Sequence, residues 1–386
     1  MARTLEPRPC PTGPAVLDIW WQPLAAALDG GGPALLPVPD GPAADGVLAM
    51  GRAGEPIDDD VALVVPTSGS TGEPKGAQLT TAALRHSAAA TLERLGGQGQ
   101  WLLALPVTHI AGQQVLVRSL LANTPPVCLD LSCGFTAEGF AAATEALTAQ
   151  RRYTALVPTQ LARLLDDAPA ALTSYDAVLV GGAATPPALL ARARDAGVRA
   201  VTTYGMSETA GGCVYDGLPL DGVRVRLAGD GRILLGGPTV FRGYRLRPDL
   251  TAAALETADG TTWHVTNDIG RLDGGRLEVL GRRDDVIVTG GEKVAPVPVE
   301  AALCALAGVR AAAVVGVADR EWGQRVVAAV VAADPSRPPT LDAVRAGLTA
   351  LPRHALPREV VVVAALPLLA SGKTDRDAVR RLVTGA

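Results

Sequence analysis

The chain has 386 residues, of which 48% are hydrophobic, 19% are charged and only 3% are aromatic. This length is typical of two or three domains, and the composition excludes extensive disorder. The 35 Lys and Arg residues and 39 Asp and Glu residues leave a formal net charge of -4. No long basic run of the kind that binds polyanions is present, so we predict no nucleic-acid partner. The longest charge-free apolar window, 101–117, is too short and too polar to span a bilayer, so we predict no membrane insertion.

The cysteines and the N-terminal segment both indicate a cytoplasmic protein. The five cysteines are scattered and form no C-x-x-C pair, which argues against a disulfide framework or a zinc site. The first residues carry prolines and charges where a secretory signal needs an apolar stretch.

Short apolar runs alternate with helix-like segments between residues 61 and 204. A strand at 61–65 precedes a turn-rich loop at 67–76, and Thr80 or Thr81 then begins a helix that extends to about Leu95. Further strands are predicted at 101–105, 153–157, 177–182 and 200–204, and further helices at 110–121, 135–150 and 186–196. This alternation predicts a largely parallel, layered α/β sheet.

The pattern changes after about residue 215. Short strands separated by Gly-Asp and Asp-Gly turns predict a β-rich part at about 215–283. Beyond it, helices are predicted at 299–306, 341–351 and 375–383, and strands at 311–317, 326–332 and 360–364. We therefore predict an α/β protein with a large N-terminal domain of several subdomains (1–283) and a small, mobile α+β C-terminal domain (284–386).

The strongest local signal is ThrSerGlySerThrGlyGluProLysGly at 67–76, directly after a strand. Its glycines allow the backbone close to a ligand, its hydroxyls and N–H groups can surround phosphate oxygens, and Lys75 supplies a cation. A flexible surface turn is the alternative. A Walker A loop is excluded because Pro74 stands where that motif has its second glycine.

This loop and five later segments, taken in order, resemble the adenylate-forming family of acyl-CoA synthetases, aryl-acid ligases, peptide-synthetase adenylation domains and luciferases. The later segments are ThrTyrGlyMetSerGluThr (203–209), AsnAspIleGly (267–270), GlyArgArgAspAsp (281–285), GlyGlyGluLysVal (290–294) and LeuAlaSerGlyLys (369–373). The resemblance implies that a carboxylate attacks the α-phosphate of Mg-ATP to form an acyl-adenylate and pyrophosphate. A thiol, as in coenzyme A, then takes the acyl group and releases AMP.

The resemblance also implies roles for individual residues. Glu208 would hold Mg²⁺, a cation that prefers oxygen ligands, and Lys373 would bridge the attacking carboxylate and the α-phosphate. The implied ATP site consists of Thr67, Ser68, Gly69, Ser70, Thr71, Gly72 and Lys75 around the phosphates, Gly181, Gly182, Ala183, Tyr204 and Gly205 around the adenine, Ser207 at the α-phosphate, and Asp268 with Arg282 at the ribose. Taken singly, Glu208 and Asp268 fit solvated turn acids better and Arg282 fits a surface ion pair better, whereas the ordered set favours the ATP site. A tail lysine is the alternative for Lys373.

The resemblance places a hinge at Asp284, about which the small domain would turn between the two half-reactions. Gly290 and Gly291 would then line a tunnel for the pantetheine arm of CoA. An ordinary interdomain turn is the alternative for both features.

The segment at 106–118 indicates the acyl substrate. Arg118 is the only formal charge in a predicted helix that otherwise favours burial, and a second carboxylate on the substrate would satisfy it. Pairing with a protein acid, or extension to solvent, is the alternative. Together with residues 204–217, this segment resembles the short actinobacterial o-succinylbenzoate-CoA ligases of menaquinone biosynthesis. That resemblance implies Arg118 at the succinyl side, His109 at the wall between acyl pocket and thiol tunnel, and Gln113 and Gln114 lining the pocket. A capped core residue is the alternative for His109.

Three departures from the family pattern stand out. Asn267 replaces the usual Gly before the ribose Asp, Ser207 replaces the commoner Thr, and the phosphate loop begins only 67 residues into the chain. The short N-terminal part leaves a compensating homodimer interface open. Two other functions also stay open: an aryl or acyl adenylating enzyme that loads a carrier protein, and a nucleotide-binding regulator without turnover.

Overall fold

The computed structural model describes residues 3–68, 74–368 and 374–385. The helices of this described part are α1 (Ala15–Leu28), α2 (Ala43–Gly51), α3 (Thr81–Arg94), α4 (Ile110–Leu121), α5 (Ala137–Glu145), α6 (Pro158–Asp167), α7 (Pro169–Leu172), α8 (Pro187–Asp195), α9 (Pro248–Ala254), α10 (Pro296–Cys304), α11 (Leu341–Gly347) and α12 (Arg376–Thr384).

The strands form four sheets. In chain order they are β1 (Leu5–Pro9), β2 (Ala34–Val38), β3 (Val61–Ser68), β4 (Pro74–Thr80), β5 (Gln100–Leu103), β6 (Val127–Cys128), β7 (Arg152–Leu156), β8 (Ala177–Val180), β9 (Ala200–Met206), β10 (Gly211–Tyr215), β11 (Leu218–Pro219), β12 (Arg224–Leu227), β13 (Arg232–Gly236), β14 (Gly243–Tyr244), β15 (Leu255–Ala258), β16 (Thr261–Asp273), β17 (Arg276–Arg282), β18 (Ile287–Thr289), β19 (Glu292–Val294), β20 (Val309–Asp319), β21 (Gly323–Ala332) and β22 (Glu359–Val362).

The first sheet contains the predicted phosphate-binding segment and has the strand order β1-β2-β3-β4-β14. β1, β2 and β3 are parallel, whereas β4 pairs antiparallel with β3 and with β14. The prediction of one turn-rich loop over 67–76 is wrong at both of its described ends, because β3 extends to Ser68, β4 begins at Pro74 and Thr67 pairs with Lys75. Strands β3 and β4 therefore pair as a β-hairpin. The sequence pattern did not reveal β4, because Pro, Lys and Gly are uncommon in strands.

The second sheet confirms the predicted α/β layering. Its order is β11-β10-β9-β8-β7-β5-β6, and the strands from β6 to β9 are mutually parallel. Helix α4 occupies the predicted range, and Thr80 caps α3 by accepting a hydrogen bond from the backbone N–H of Ala83. Helix α5 is shorter than the predicted 135–150, and α6, which begins at a proline, was missed.

The third sheet confirms the predicted β-rich part, and the fourth forms the small C-terminal domain. In the third, β12, β13, β16 and β15 pair antiparallel in that order and β17 pairs with β16. In the fourth, the order is β19-β18-β21-β20, with β22 parallel to β21. The predicted order of elements beyond 299 is confirmed. The short hairpin β18–β19 was not predicted, and the predicted boundary at 284 falls in the single 3₁₀ turn Arg283–Asp285.

The core is built from Ala, Val and Leu with a few fully buried aromatic rings, Trp20 and Trp101 among them. All five cysteines are free thiols. Burial raises the pKa of Cys10, Cys128 and Cys213 to about 12, whereas Cys133 is exposed. Among the described residues, no helix combines the length and apolar character that crossing a bilayer requires.

Candidate active site

Glu208 lies in a single 3₁₀ turn, Ser207–Thr209, that joins the antiparallel strands β9 and β10. A Cβ atom on Gly205 would lie 2.2 Å from the carbonyl oxygen of Gly211, so only glycine allows the two strands this approach. The tight turn directs Glu208 inward, and the residue is 9% exposed. Ser207 beside it is half-buried.

Two buried side chains fix the far end of this turn on the helices behind it. The Ser87 hydroxyl and the Gln114 side-chain amide both donate to the carbonyl oxygen of Ala210, at 2.9 and 2.7 Å. The Gln113 amide donates to the carbonyl oxygen of Val107 at 2.6 Å. Both glutamines are fully buried and use their N–H groups on the main chain, and their place in an acyl pocket stays a prediction.

The predicted metal ligand and the predicted phosphate cation meet at one tyrosine that the sequence analysis missed. The Tyr244 hydroxyl donates to Glu208 Oε1 at 2.7 Å, and Lys75 Nζ lies 5.4 Å from the centroid of the Tyr244 ring. Burial and the neighbouring Glu208 raise the pKa of Tyr244 above its ordinary value, so the phenol keeps its proton and acts as donor. Among the described residues, none forms an ion pair with Glu208.

The predicted adenine and ribose residues also lie together. Asp268 on β16 is directly opposite Arg282 on β17, at 4.0 Å, and the Tyr204 hydroxyl donates to Asp268 Oδ2 at 2.8 Å. Burial, and then Asp268, raise the pKa of Tyr204 well above its usual range. The two side chains thus connect β9 to the β-rich part, with the second carboxylate oxygen of Asp268 beside Arg282.

The backbone predicted to meet the adenine edge follows β8 directly. A Cβ atom on Gly181 would lie 2.2 Å from Thr203 Oγ1, and Gly182 has a φ of +78°. Both positions therefore favour glycine, and Ala183, the next residue, is half-buried.

The predicted hinge residue is held by exposed contacts. The Asn267 amide donates to Asp284 Oδ2 at 2.6 Å, and Arg282 lies 3.7 Å from the same oxygen. Asn267, the residue that replaces the usual glycine, therefore links β16, the strand of Asp268, to the turn Arg283–Asp285, which we call the hinge turn because of its predicted role. Neither the residue patterns nor the family resemblance predicted the contact between Asn267 and Asp284.

The adjacent acid, Asp285, contacts the small domain through a partly buried ion pair. Arg376 of α12 lies 3.2 Å from Asp285 and makes two hydrogen bonds to Glu300 of α10, at 2.6 and 3.0 Å. Burial raises the pKa of Asp285, and Arg376 opposes that effect. Arg376 therefore joins the hinge turn to two helices of the small domain.

The two glycines predicted for the CoA tunnel form the turn between β18 and β19. Gly290 and Gly291 have φ angles of +59° and +84°, the left-handed pair that tight hairpins require. A Cβ atom on Gly290 would lie 2.9 Å from the Trp322 ring. Their place in a tunnel stays a prediction.

Arg118 lies deep in the core, 3% exposed. Its guanidinium lies 5.0 Å from the Trp101 ring, Nη2 donates to the Tyr215 hydroxyl at 3.4 Å, and Nε has no partner among the described residues. Burial lowers the pKa of Arg118, as expected for a cation that lacks an anion. No described carboxylate lies within ion-pair distance, so pairing with a described acid and extension to solvent are both disfavoured.

Arg118 and His109 lie at opposite ends of α4. His109 is the exposed residue before the first turn, with an extended backbone (φ -110°). Nine residues of helix separate the two positions by about 13 Å along the axis. The structure therefore does not group Arg118 with His109.

Several predicted residues lie outside the described part of the chain: Gly69, Ser70, Thr71, Gly72 and Lys373. Of their neighbours in the hairpin, Thr67 is half-buried, and the backbone of Ser68 pairs with Pro74.

His264 is a further buried residue that sequence reasoning missed. It is 5% exposed, its Nδ1 lies 3.1 Å from the carbonyl oxygen of Ala254, and its ring packs edge-on against Phe241 at 5.3 Å. Burial lowers its pKa, partly opposed by Glu208. A single histidine in a β-rich segment carries no local signal for such a position.

Comparison with known proteins identifies the arrangement. Residues 34–245 match the family model described as AMP-binding enzyme, and residues 298–373 match the AMP-binding enzyme C-terminal domain. The chain is 51% identical over 370 residues to a probable 2-succinylbenzoate–CoA ligase of Mycobacterium tuberculosis, covering 94% of both chains. It is 35% identical over 353 residues to a feruloyl-CoA synthase of Amycolatopsis, covering 84% of this chain and 70% of that one.

Among solved structures, the o-succinylbenzoate CoA synthetase of Bacillus subtilis in complex with the acyl-adenylate intermediate OSB-AMP superposes with a TM-score of 0.72. The two are 28% identical, and the match covers 92% of this chain and 80% of the other. The chain belongs to the AMP-binding enzyme family, with the large N-terminal and small C-terminal domains of adenylate-forming, AMP-forming ligases.

Proposed function

We propose that the chain is an o-succinylbenzoate-CoA ligase. It activates the acid with ATP as an acyl-adenylate and then forms the CoA thioester, releasing pyrophosphate and AMP, as a step of menaquinone biosynthesis in the cytoplasm. The observation that carries the activation chemistry is the convergence of Lys75 and Glu208 at Tyr244 beside the linked pair Tyr204 and Asp268.

The phosphate side of the site fits a bound Mg²⁺. Glu208 is a buried carboxylate with one oxygen occupied by a phenol, which leaves the other oxygen for a hard cation. Mg²⁺ would neutralise charge on the phosphates during displacement. Lys75, together with Thr67, Ser68, Gly69, Ser70, Thr71 and Gly72 of the hairpin, would hold the departing pyrophosphate, and Ser207 would contact the α-phosphate.

The nucleoside side is held by hydrogen bonds. Asp268 would accept from the ribose hydroxyls with Arg282 beside it, and Tyr204 would flank the adenine, with its edge against Gly181, Gly182 and Ala183. Lys373 would bridge the substrate carboxylate and the α-phosphate. Bringing two anions together is the main barrier of this step, and a positioned ammonium lowers it directly.

The second step would require the small domain to rotate about Asp284, so that Gly290 and Gly291 line the CoA tunnel. The contact between Asn267 and Asp284 supports this position for the hinge, because it is a single exposed hydrogen bond between two side chains that a rotation could break at little cost. The domain boundary at 283–284 is part of the same proposal. A homodimer lacks support and stays a prediction.

The choice of acid depends on Arg118. Its lack of a described acid and its burial support a substrate with a second carboxylate, with His109, Gln113 and Gln114 as further pocket residues. Because Arg118 lies about 13 Å along α4 from His109, the acyl pocket would have to extend along this helix.

The test is a panel of acids in a pyrophosphate-release assay with ATP and CoA. We expect o-succinylbenzoate to react and benzoate, which shares the ring but lacks the succinyl arm, to react poorly. Arg118→Met should raise KM for o-succinylbenzoate about 10- to 100-fold, the size of a lost charge-assisted hydrogen bond, without changing KM for ATP. Arg85→Met, at an exposed ion pair with Asp29, is the matched control.

An unchanged KM in Arg118→Met would rule out the anchoring role of Arg118. If no AMP is released in the presence of ATP, CoA and o-succinylbenzoate, the proposed substrate is wrong. Acyl transfer to a phosphopantetheinyl carrier protein, in preference to CoA, would favour a carrier-loading enzyme instead. Nucleotide binding without turnover of any acid in the panel would favour a regulator.

A further inference from the structure

One short segment joins the Glu208 turn to the strand that bears Lys75. We call Phe241–Arg245 the bridging segment. At its start, the backbone N–H of Phe241 donates to the carbonyl oxygen of Glu208 at 2.8 Å. At its end, the N–H of Arg245 donates to the carbonyl oxygen of Gly76 at 2.8 Å. The backbone of the bridging segment is therefore hydrogen-bonded both to the Glu208 turn and to β4, the strand that bears Lys75.

The middle of the bridging segment forms strand β14, where Tyr244 pairs with Ala77 on β4. The Tyr244 ring is 8% exposed and packs edge-on against Phe241 at 4.9 Å. Its backbone N–H donates to Thr251 Oγ1 at 2.9 Å. Because backbone and ring are both held, the hydroxyl and the ring face point in fixed directions.

The Tyr244 hydroxyl and the Tyr244 ring face contact groups of opposite charge. The hydroxyl donates to the Glu208 carboxylate at 2.7 Å, and the ring face lies 5.4 Å from the Lys75 ammonium. An aromatic face attracts an ammonium through its quadrupole. The tyrosine thus contacts an acid and a base that would otherwise be free to form a direct ion pair.

We propose that Tyr244 is a positioning residue that keeps Glu208 and Lys75 apart and orients both toward the triphosphate. The inference rests on the proposed roles of Glu208 and Lys75. A direct ion pair would occupy the carboxylate oxygen that Mg²⁺ needs and the ammonium that the phosphates need. With Tyr244 in place, one oxygen of the Glu208 carboxylate is fixed by a hydrogen bond and the other is left for the metal. Residues that hydrogen-bond to a metal ligand commonly orient it in this way.

Two variants separate the two contacts. Tyr244→Phe removes the hydroxyl and keeps the ring, so we expect the Mg²⁺ concentration for half-maximal pyrophosphate release to rise about 10-fold. Calorimetry without acid substrate should show weaker binding of Mg-ATP and unchanged binding of metal-free ATP. Tyr244→Leu removes the ring as well, so metal-free ATP should also bind more weakly, because Lys75 is free to pair with Glu208.

Tyr153→Phe is the matched control, because its buried hydroxyl donates to the carbonyl oxygens of Leu95 and Gly97. These lie outside the group formed by Glu208, Lys75 and Tyr244, which we call the Glu208 corner. A Mg²⁺ dependence of Tyr244→Phe no different from that of Tyr153→Phe would overturn the inference. Glu208→Gln and Lys75→Ala separate failure of the Tyr244 inference from failure of the proposed function. If these two variants alter Mg²⁺ and ATP binding while Tyr244→Phe does not, only the inference about Tyr244 fails. If they alter neither, the proposed function fails. Should Tyr244→Leu fail to fold, Tyr244→Phe alone decides.

Discussion

The Glu208 corner and the predicted hinge turn each contain a carboxylate, but the two carboxylates differ in burial and in their hydrogen-bond partners. Glu208 is 9% exposed and bonded to a neutral phenol, whereas Asp284 is exposed and shared between an amide and an arginine at 3.7 Å. Contacts in the low-dielectric interior are strong and costly to break, and exposed ones are screened by water. The contacts of Glu208 are therefore suited to fixed geometry, and those of Asp284 to the exchange of partners that the predicted hinge would require.

The same contrast exists within the hinge turn itself. Asp284 contacts the N-terminal domain through exposed groups, and Asp285 contacts Arg376, whose side chain is 16% exposed. The turn is thus fastened to the small domain and only lightly attached to the large one. A rotation at this point would break the Asp284 contacts and preserve those of Asp285.

The largest expected effect lies in the buried corner. Glu208→Gln keeps the shape and removes the charge, so we expect kcat/KM for adenylation to fall about 100- to 1,000-fold, the size of losing one preorganised electrostatic contact. Pyrophosphate release measures it. Glu278→Gln, at an exposed pair with Arg271, should stay near wild type, and an equal loss in both variants would remove the contrast between corner and surface.

A smaller effect is expected where the turn is fastened to the small domain. Arg376→Met leaves Glu300 and Asp285 without their partner, so we expect amides of α12 to exchange with deuterium about 30- to 150-fold faster, which corresponds to about 2–3 kcal/mol. Arg380→Met on the same helix removes an exposed pair with Asp377 and should change exchange little. Equal exchange rates in the two variants would contradict the firm attachment.

The smallest effect is expected at the light attachment. Asn267→Ala removes the amide that donates to Asp284, so thioester formation from preformed acyl-adenylate should accelerate about two- to fivefold, the size of one exposed hydrogen bond. Adenylation should not change. Single-turnover measurements of both half-reactions check this, and Asn267→Gly should behave alike. A slower thioester step, or the same change in both steps, would mean that Asn267 does not restrain the hinge.

The sequence predicted the elements whose pattern is local. Helix α4 has its predicted bounds because apolar residues recur along it from Ile110 to Leu121, and β9 with the Glu208 turn followed from one contiguous motif. Strand β4 was missed because Pro74, Lys75 and Gly76 interrupt its apolar alternation. Helix α6 was missed although its start at Pro158 is a known signal for a first turn.

Contacts between distant segments could not be predicted in the same way. Tyr244 is 36 residues from Glu208 in the sequence and still farther from Lys75, and its local sequence contains no feature that marks a contact to either. The asparagine at 267 was recognised as unusual, but its partner Asp284 depends on the register of β16 and β17. Pairing of strands, not the type of residue, determines both contacts.

The distribution of the thiols would allow the proposed rotation of the small domain to be followed by spectroscopy. With the pKa of Cys10, Cys128 and Cys213 near 12 and Cys304 partly buried, a maleimide dye at neutral pH should attach to Cys133 in the large domain. A second cysteine introduced at the exposed Arg381 of α12 would provide the partner dye. Energy transfer between the two would then report the distance between the domains through each half-reaction, in a protein whose remaining cysteines need not be removed.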